Sequence, residues 1–256
     1  MFGGGGGGGG GGDGASRAPD SQSVKAILEN VMLPVFARMT VGHTIEAAVM
    51  VSSFADGIDE NDLLGSASAD HIDYLKLPIA AMTSLSKAEP AAGAPIDIGT
   101  LDNALKSIFD GAAVLRAALP VGGGMFGGGA PDEDAINMQH LGELMTALNA
   151  NIKIVKGDMD AAARATHAKE KGYSVGLLNQ VANLGRLPVP LFAYGGIKLP
   201  LDAAMVMDFG YDGIIASKAV FDVANAEKRM RSLVLATTYY KHPEFLAKIA
   251  DDQNTA

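Results

Sequence analysis

The sequence predicts an α/β protein in which short strands alternate with helices around a parallel sheet. Six short runs are apolar on both faces, as expected of strands that are covered on both sides. Segments with apolar residues at helical spacing lie between these runs. Three of the runs begin with a Leu-Pro pair, and proline is tolerated at the first residue of a strand. Because a closed (β/α)₈ barrel needs eight such units, the count of six is two units short.

The predicted elements follow one another in chain order after a flexible start. A first helix is indicated by apolar residues at Val24, Ile27, Leu28, Val31 and Met32. The strands are predicted at Leu33–Ala37, Asp56–Asp59, Leu77–Met82, Ala112–Leu115, Leu187–Val189 and Gly213–Ala216. Three further helices are predicted by apolar stripes within residues 101–109, 138–148 and 230–237.

The chain divides into one domain and two tails. Glycine runs without a break over residues 3–12, and such a tract has no side chains to bury, so a flexible tail is expected over residues 1–18. A phosphate-binding glycine loop is a poor interpretation of this tract, because no strand precedes it. The ordered domain is predicted over residues 19–250, followed by a short tail over 251–256.

Composition excludes several classes of function. The chain has no cysteine, which excludes a disulfide scaffold, a thiolate metal site and a cysteine nucleophile. Its net charge of -9 argues against nucleic acid as the main partner. No apolar run has the length of a membrane span, and the beginning of the chain lacks a secretory pattern. We therefore expect a cytoplasmic protein with no membrane contact, no metal and no cofactor.

Candidate chemistry lies where the strands end, as in other βα barrels. Arg38 and then His43 follow the first strand, Asp59 ends the second, and Lys218 follows the sixth. Two Gly-rich stretches, at residues 122–124 and 195–196, are typical of loops that hold a phosphate through backbone N–H groups. His43 has two open interpretations, a catalytic base or a histidine hydrogen-bonded within the barrel. Lys218 likewise either adds charge to a bound phosphate or points into solvent.

Several segments together resemble one family, the synthase subunit of pyridoxal 5'-phosphate synthase (PdxS/Snz family). The resemblance covers residues 19–250, apart from stretches near 85–98 and 125–134 that look inserted. It is carried by Leu33-Pro-Val-Phe-Ala-Arg-Met-Thr-Val-Gly-His-Thr-Ile-Glu-Ala47, Gly57-Ile-Asp-Glu60, Asp110-Gly-Ala-Ala-Val-Leu-Arg116, Leu187-Pro-Val-Pro-Leu-Phe-Ala-Tyr-Gly-Gly196, Pro200-Leu-Asp-Ala-Ala204 and Ala236-Thr-Thr-Tyr-Tyr240. It implies a (β/α)₈ TIM barrel whose first one or two βα units are missing or unrecognisable in this sequence.

The resemblance implies a reaction that this chain is not equipped to perform. Family members make the vitamin B6 cofactor from ribose 5-phosphate, glyceraldehyde 3-phosphate and ammonia, and they carry the substrate as imines on two lysines. Here the two lysine positions hold Arg38 and Ala118, and arginine stays protonated up to a pH of about 12. The acid of the second strand is kept as Asp59, whereas a basic residue expected on the later helix falls near Thr146.

The phosphate-binding positions of the family are partly kept. They match Gly122, Gly195 and Ser217, while Ala216 and Lys218 replace the glycines on either side of that serine.

The leading hypothesis is a noncatalytic member of the family that assembles with active synthase subunits. The implied partners are PdxS-type subunits in hexamers or paired hexamers, the glutaminase subunit that supplies ammonia, and a phosphosugar. Two alternatives stay open. One is a phosphosugar-binding enzyme with a changed reaction that uses Lys218, Arg38, Asp59 and His43. The other is a homomeric scaffold or ligand sensor.

Overall fold

Six parallel strands form one curled sheet, with helices packed on its outer side. The computed structural model describes residues 19–60, 71–88, 97–118, 138–216 and 218–254. The strands are β1 (Phe36–Met39), β2 (Gly57–Glu60), β3 (Ala80–Leu85), β4 (Val114–Ala117), β5 (Leu191–Tyr194) and β6 (Gly213–Ile215). They lie side by side in chain order. The sheet is therefore six strands of a partial TIM barrel, which confirms the predicted fold class.

Ten helices belong to the described part of the chain. They are α1 (Ser21–Leu28), α2 (Thr44–Ser52), α3 (Gly99–Phe109), α4 (Met138–Gly157), α5 (Ala161–Lys171), α6 (Val175–Leu184), α7 (Pro200–Phe209), α8 (Lys218–Phe221), α9 (Ala226–Thr238) and α10 (Pro243–Asn254). None of the helices in these ranges combines the length and hydropathy needed to cross a membrane. The division into a tail, a domain over residues 19–250 and a tail over 251–256 stays a prediction.

Three strands begin later than the Leu-Pro pairs predicted. The strands expected from Leu33, Leu77 and Leu187 begin at Phe36, Ala80 and Leu191. Proline has no N–H to donate to a sheet, so regular pairing starts only beyond it. The shift is largest before β5, where a second proline, Pro190, directly precedes the strand.

Two helices between α4 and β5 were not predicted from the sequence. The N-cap of α5 is Asp160, whose Oδ1 accepts a hydrogen bond from the amide of Ala163 at 2.7 Å. Its C-cap is Gly172, with φ of 77°. Helix α6 begins behind the Ser174 cap and ends at Gly185 with φ of 67°. Both helices thus have a typical N-cap side chain and a left-handed glycine at the C-cap.

Apolar side chains lie on both faces of the curled sheet, the outer face that packs against the helices and the inner face. The ring of Phe192 on β5 lies over Gly213 of β6, where an added Cβ would come within 2.6 Å of the ring. Phe36 lies over Gly57 in the same way, so two glycines make room for two aromatic rings. The helix-facing layer is fully buried and includes Ile58, Leu101, Leu105, Leu115, Leu141, Leu144 and Leu178.

Candidate functional site

Charged residues from three strands meet on the inner face of the sheet. Side chains alternate between the two faces of a strand, so Arg38 on β1, Asp59 on β2 and Arg116 on β4 share the inner face. Arg38 and Asp59 are paired residues in the register of β1 and β2. Tyr194 on β5 completes the group from the far side of the curled sheet. We call these four residues the inner cluster.

Arg116 is the buried member of the inner cluster. Its side chain is 2% exposed, and its Nε donates to Asp59 Oδ1 at 2.9 Å. Its Nη2 donates to the carbonyl oxygen of Glu60 at 3.2 Å, and its guanidinium lies 4.9 Å from the centre of the Tyr194 ring. A buried guanidinium needs a counter-ion, and Asp59 supplies it. The sequence contains Arg116 within the Asp110–Arg116 family segment, but no sequence pattern predicts its pairing with Asp59.

Arg38 reaches across the inner face from β1 to β5. Its Nη2 donates to the Tyr194 hydroxyl at 2.9 Å, and its Nε lies 3.7 Å from Asp59 Oδ2. The guanidinium is 5.7 Å from the centre of the Tyr194 ring, and the side chain is 34% exposed. The residue at the expected lysine position therefore makes a cross-strand tie to residues of β2 and β5.

Ala118 lies directly after β4, two residues beyond Arg116. It is buried, and its amide donates to the carbonyl oxygen of Leu85 at 2.9 Å. The alternation of side chains along the strand places position 118 on the same face as Arg116. This position carries only a methyl group on the inner face.

Glu60 forms a second polar cluster that sequence reasoning missed. Its carboxylate is fully buried and accepts hydrogen bonds from the amides of Gly42 at 2.9 Å and Ile72 at 3.1 Å, from the Tyr74 hydroxyl and from His71 Nδ1. Burial acts to raise the pKa of the Glu60 carboxyl, but these hydrogen bonds, led by His71 and Tyr74, outweigh burial and hold the pKa below its ordinary value. The cluster joins the loop after β1 to the segment before β3.

Tyr74 stays protonated within this second cluster. Burial, followed by the negative charge of Glu60, raises the pKa of the Tyr74 hydroxyl well above its usual range. Its proton is therefore donated to the carboxylate at neutral pH. These partners lie between 11 and 18 residues from Glu60 in the chain, so no local sequence pattern marks them.

His43 takes no part in the inner-cluster contacts described above; it directly precedes α2, and its side chain makes no capping hydrogen bond to the described residues of that helix. Its Nδ1 is 3.4 Å from Glu46 Oε1, on the same helical turn. Glu46 also accepts a hydrogen bond from the amide of Thr40 at 2.7 Å, which fixes the loop after β1.

The glycine pair after β5 lies at the position where a phosphate loop is predicted, and both glycines have a left-handed backbone. Gly195 and Gly196 have φ of 94° and 68°, a region that strongly favours glycine. Two amides farther along, those of Lys198 and Leu199, donate to Asp202 Oδ2 at 3.0 and 2.8 Å. Ala216 follows β6, whereas Gly122 and Ser217 lie outside the described residues.

Thr146 lies in a groove between α3 and α4, away from the inner cluster. The groove has a volume of about 790 Å³, and its wall includes Lys87, Glu143 and Asn151. The Thr146 hydroxyl donates to the carbonyl oxygen of Gly142 at 2.7 Å. Among the described residues of the groove wall, the cation is Lys87, whose Nζ lies 2.8 Å from Glu143 Oε2. A basic side chain is thus present in the groove, although not at position 146.

Comparison with known proteins identifies relatives over most of the chain. Residues 11–194 match the model of the SOR/SNZ family. The pyridoxal 5'-phosphate synthase subunit PdxS of Dictyoglomus turgidum is 32% identical over 240 residues, covering 93% of this chain and 72% of that protein. The subunit of the same name from Clostridium botulinum (strain Loch Maree) is 34% identical over 242 residues, covering 93% and 74%. The probable pyridoxal 5'-phosphate synthase subunit pdx1 of Dictyostelium discoideum is 31% identical over 247 residues, covering 95% and 72%.

Proposed function

The chain belongs to the SOR/SNZ family of vitamin B6 biosynthesis proteins, and on this premise we propose that it is a noncatalytic subunit. In this proposal it assembles with complete pyridoxal 5'-phosphate synthase subunits and contributes no imine chemistry of its own. The observation that carries the proposal is the pair of side chains at the two expected lysine positions, Arg38 and Ala118.

Neither position offers an amine that can attack a carbonyl. An imine forms only from a neutral amine, and the Arg38 guanidinium remains charged at every pH below about 12. Its contacts with Tyr194 and Asp59 also hold it within the protein. Ala118 has no nitrogen in its side chain. Substrate carbonyls therefore find no nucleophile at either position.

Asp59 has a structural role in this proposal. In a working site a carboxylate must be available to the substrate to accept or donate a proton. Here Asp59 Oδ1 accepts the hydrogen bond of the buried Arg116, and Arg38 lies beside Oδ2. The retained acid therefore acts as the counter-ion of the buried Arg116, and it also lies beside the positive charge of Arg38.

Phosphate binding is the part of the ancestral site that we expect to persist. The Gly195–Gly196 turn supports this, because two successive glycines with positive φ let the backbone approach a bound anion closely. The proposed phosphate site consists of Gly195 together with Gly122, Ala216 and Ser217. A phosphosugar held there would stabilise the subunit without being converted.

Assembly is supported by apolar side chains that the described part of the chain leaves exposed. Leu201 and Met205 are exposed on α7, and Phe221 and Val234 are exposed on α8 and α9. Phe221 and Val234 also line a groove of about 510 Å³ beside α9. Exposed apolar side chains around such a groove are typical of a protein interface. The proposed partners are PdxS-type subunits in a hexamer or dodecamer, with the glutaminase subunit joining the assembly.

Light scattering coupled to size-exclusion chromatography tests the assembly. The protein is run alone and with a family synthase, and a particle of several hundred kilodaltons is expected in at least one of these runs. Val234→Asp, which places a charge in the α9 groove, should lower the assembled mass. Asn149→Asp, a matched change at an exposed polar position on α4, should not. A monomer of 26.3 kDa in both runs would overturn the assembly.

A changed enzymatic reaction is the second candidate, and the glycine turn after β5 is the observation in its favour. Incubation with ribose 5-phosphate or glyceraldehyde 3-phosphate, followed by mass spectrometry of the sugars, separates the two proposals. Unchanged sugars are expected from a noncatalytic subunit. A converted sugar would favour the enzyme.

A further inference from the structure

The loop from β5 to α7 has two buried backbone N–H groups that have no acceptor among the described residues. Gly196 and Ile197 are buried, and their amides donate to none of the described residues. Consecutive N–H groups beside left-handed glycines form a concave set of donors, which binds an anion oxygen well. Asp202 fixes the other end of the loop through the amides of Lys198 and Leu199.

A single basic side chain from another helix also holds this loop. Arg229, in the first turn of α9, donates from Nη1 to the carbonyl oxygen of Lys198 at 2.8 Å. This bond turns the Lys198 carbonyl toward α9. A carbonyl oxygen facing a bound phosphate would repel it, so the bond favours the orientation in which the loop presents N–H groups to an anion.

A second nitrogen of the same guanidinium lacks an acceptor. Arg229 Nε is buried and has no hydrogen-bond partner among the described residues. A buried charged donor without an acceptor is unfavourable, so an oxygen atom is expected to occupy this position when the site is filled. The guanidinium and the two amides are all donors, and a phosphate ester presents only acceptors toward them.

We propose that Arg229 is a positioning residue of a phosphate-ester site at the β5–α7 loop. It holds the loop through the Lys198 carbonyl oxygen, and its buried Nε is offered to the same anion as the amides of Gly196 and Ile197. The proposal rests on the phosphate binding included in the proposed function. It goes further by naming a cation on α9 that the resemblance to the family did not assign.

Binding measurements with ribose 5-phosphate and with ribose test this role. Isothermal titration calorimetry is run on the full chain and on three variants. Arg229→Met should weaken ribose 5-phosphate binding at least tenfold. Arg231→Met is the matched control, because Arg231 lies two residues away on α9, is 74% exposed and pairs with Glu227. It should change binding less than twofold, and ribose should bind to none of the proteins.

Arg229→Lys guards against a variant that simply fails to fold. It keeps the charge and the aliphatic stem but loses the planar guanidinium. It should fold as the unchanged protein does and bind ribose 5-phosphate with intermediate affinity. Amide hydrogen exchange, measured without ligand, should rise over residues 195–199 in Arg229→Met and not in Arg231→Met.

The outcomes separate this inference from the proposed function. Ribose 5-phosphate binding that Arg229→Met and Arg231→Met weaken equally would overturn the role of Arg229 and leave the phosphate site standing. Equal affinity for Arg229→Lys and the unchanged protein would overturn the role of the guanidinium. If the unchanged protein binds no ribose 5-phosphate, the retained phosphate site of the proposed function is wrong, and this inference is overturned with it.

Discussion

Replacing Arg116 by methionine should destabilise the protein far more than the same replacement of Arg38. Methionine keeps much of the side-chain length, so the two variants differ mainly in the charge and hydrogen bonds that they remove. Arg116 is 2% exposed and makes two hydrogen bonds, and its loss removes the guanidinium that lies 2.9 Å from the buried Asp59 carboxylate, while Arg38 remains 3.7 Å from that carboxylate. Removing one partner of a buried pair costs about 3–5 kcal/mol, so this range is expected.

Arg38 should contribute less because water screens it. Its side chain is 34% exposed, and an exposed ion pair contributes at most about 1 kcal/mol. Its hydrogen bond to Tyr194 adds about 1 kcal/mol, so Arg38→Met should cost about 1–2 kcal/mol. The two variants should thus differ by roughly 2–3 kcal/mol in their free energies of unfolding.

Urea unfolding followed by circular dichroism measures both costs, and the dependence on urea should be the same for all variants. Asp59→Asn in the Arg116→Met background is the control, because it removes the buried charge that the first change leaves without its partner. The double variant should lose less unfolding free energy than the sum of the losses measured for the two single variants. Equal costs for the two arginines, or a cost below about 1 kcal/mol for Arg116→Met, would refute the counter-ion role of Asp59.

Three further predictions concern packing, pH and activity. Gly213→Ala should lower the free energy of unfolding, measured with urea or heat, by about 1–3 kcal/mol, because the added Cβ would lie 2.6 Å from the Phe192 ring. A similar loss in a Phe192→Leu background would contradict this cause. Glu60→Gln should lower the free energy of unfolding at pH 7. Unfolding measured at a series of pH values should show this loss shrinking as the pH falls from about 4.5 through the lowered pKa of Glu60, and a loss that does not change with pH would count against the charged carboxylate. Arg38→Lys combined with Ala118→Lys should stay far below the rate of a complete family synthase in a pyridoxal 5'-phosphate formation assay, since Asp59 remains bound to Arg116; full recovery would show that the rest of the site is intact.

The strands could be placed from the sequence, but their first residues could not. Short apolar runs located β1 and β3 because strands covered on both faces are apolar throughout, whereas the predicted run Leu187–Val189 ends before β5 begins. The exact start depended on where pairing becomes possible after a proline, and Pro190 delayed β5 beyond the run that had been recognised. Helices α5 and α6 have capping residues, Asp160 and Ser174, that are visible in the sequence, but capping residues alone do not predict a helix without an apolar stripe.

The polar contacts of the site could be predicted only in part. The loss of amines at positions 38 and 118 is visible in the sequence, because it depends on residue identity alone. The engagement of Asp59 by Arg116 depends on strand register and on the curl of the sheet, which bring together residues 57 positions apart. The tie from Arg229 to the β5–α7 loop likewise depends on the packing of α9 against α7.

Borohydride trapping tests the central claim, the absence of imine chemistry, most directly. The protein is incubated with ribose 5-phosphate, reduced with borohydride and examined by intact-mass and peptide mass spectrometry, with a complete family synthase as the positive control. The account predicts an adduct on the control and an unchanged mass of 26.3 kDa for this protein. A covalent pentose adduct on any lysine of this chain, Lys218 included, would contradict it.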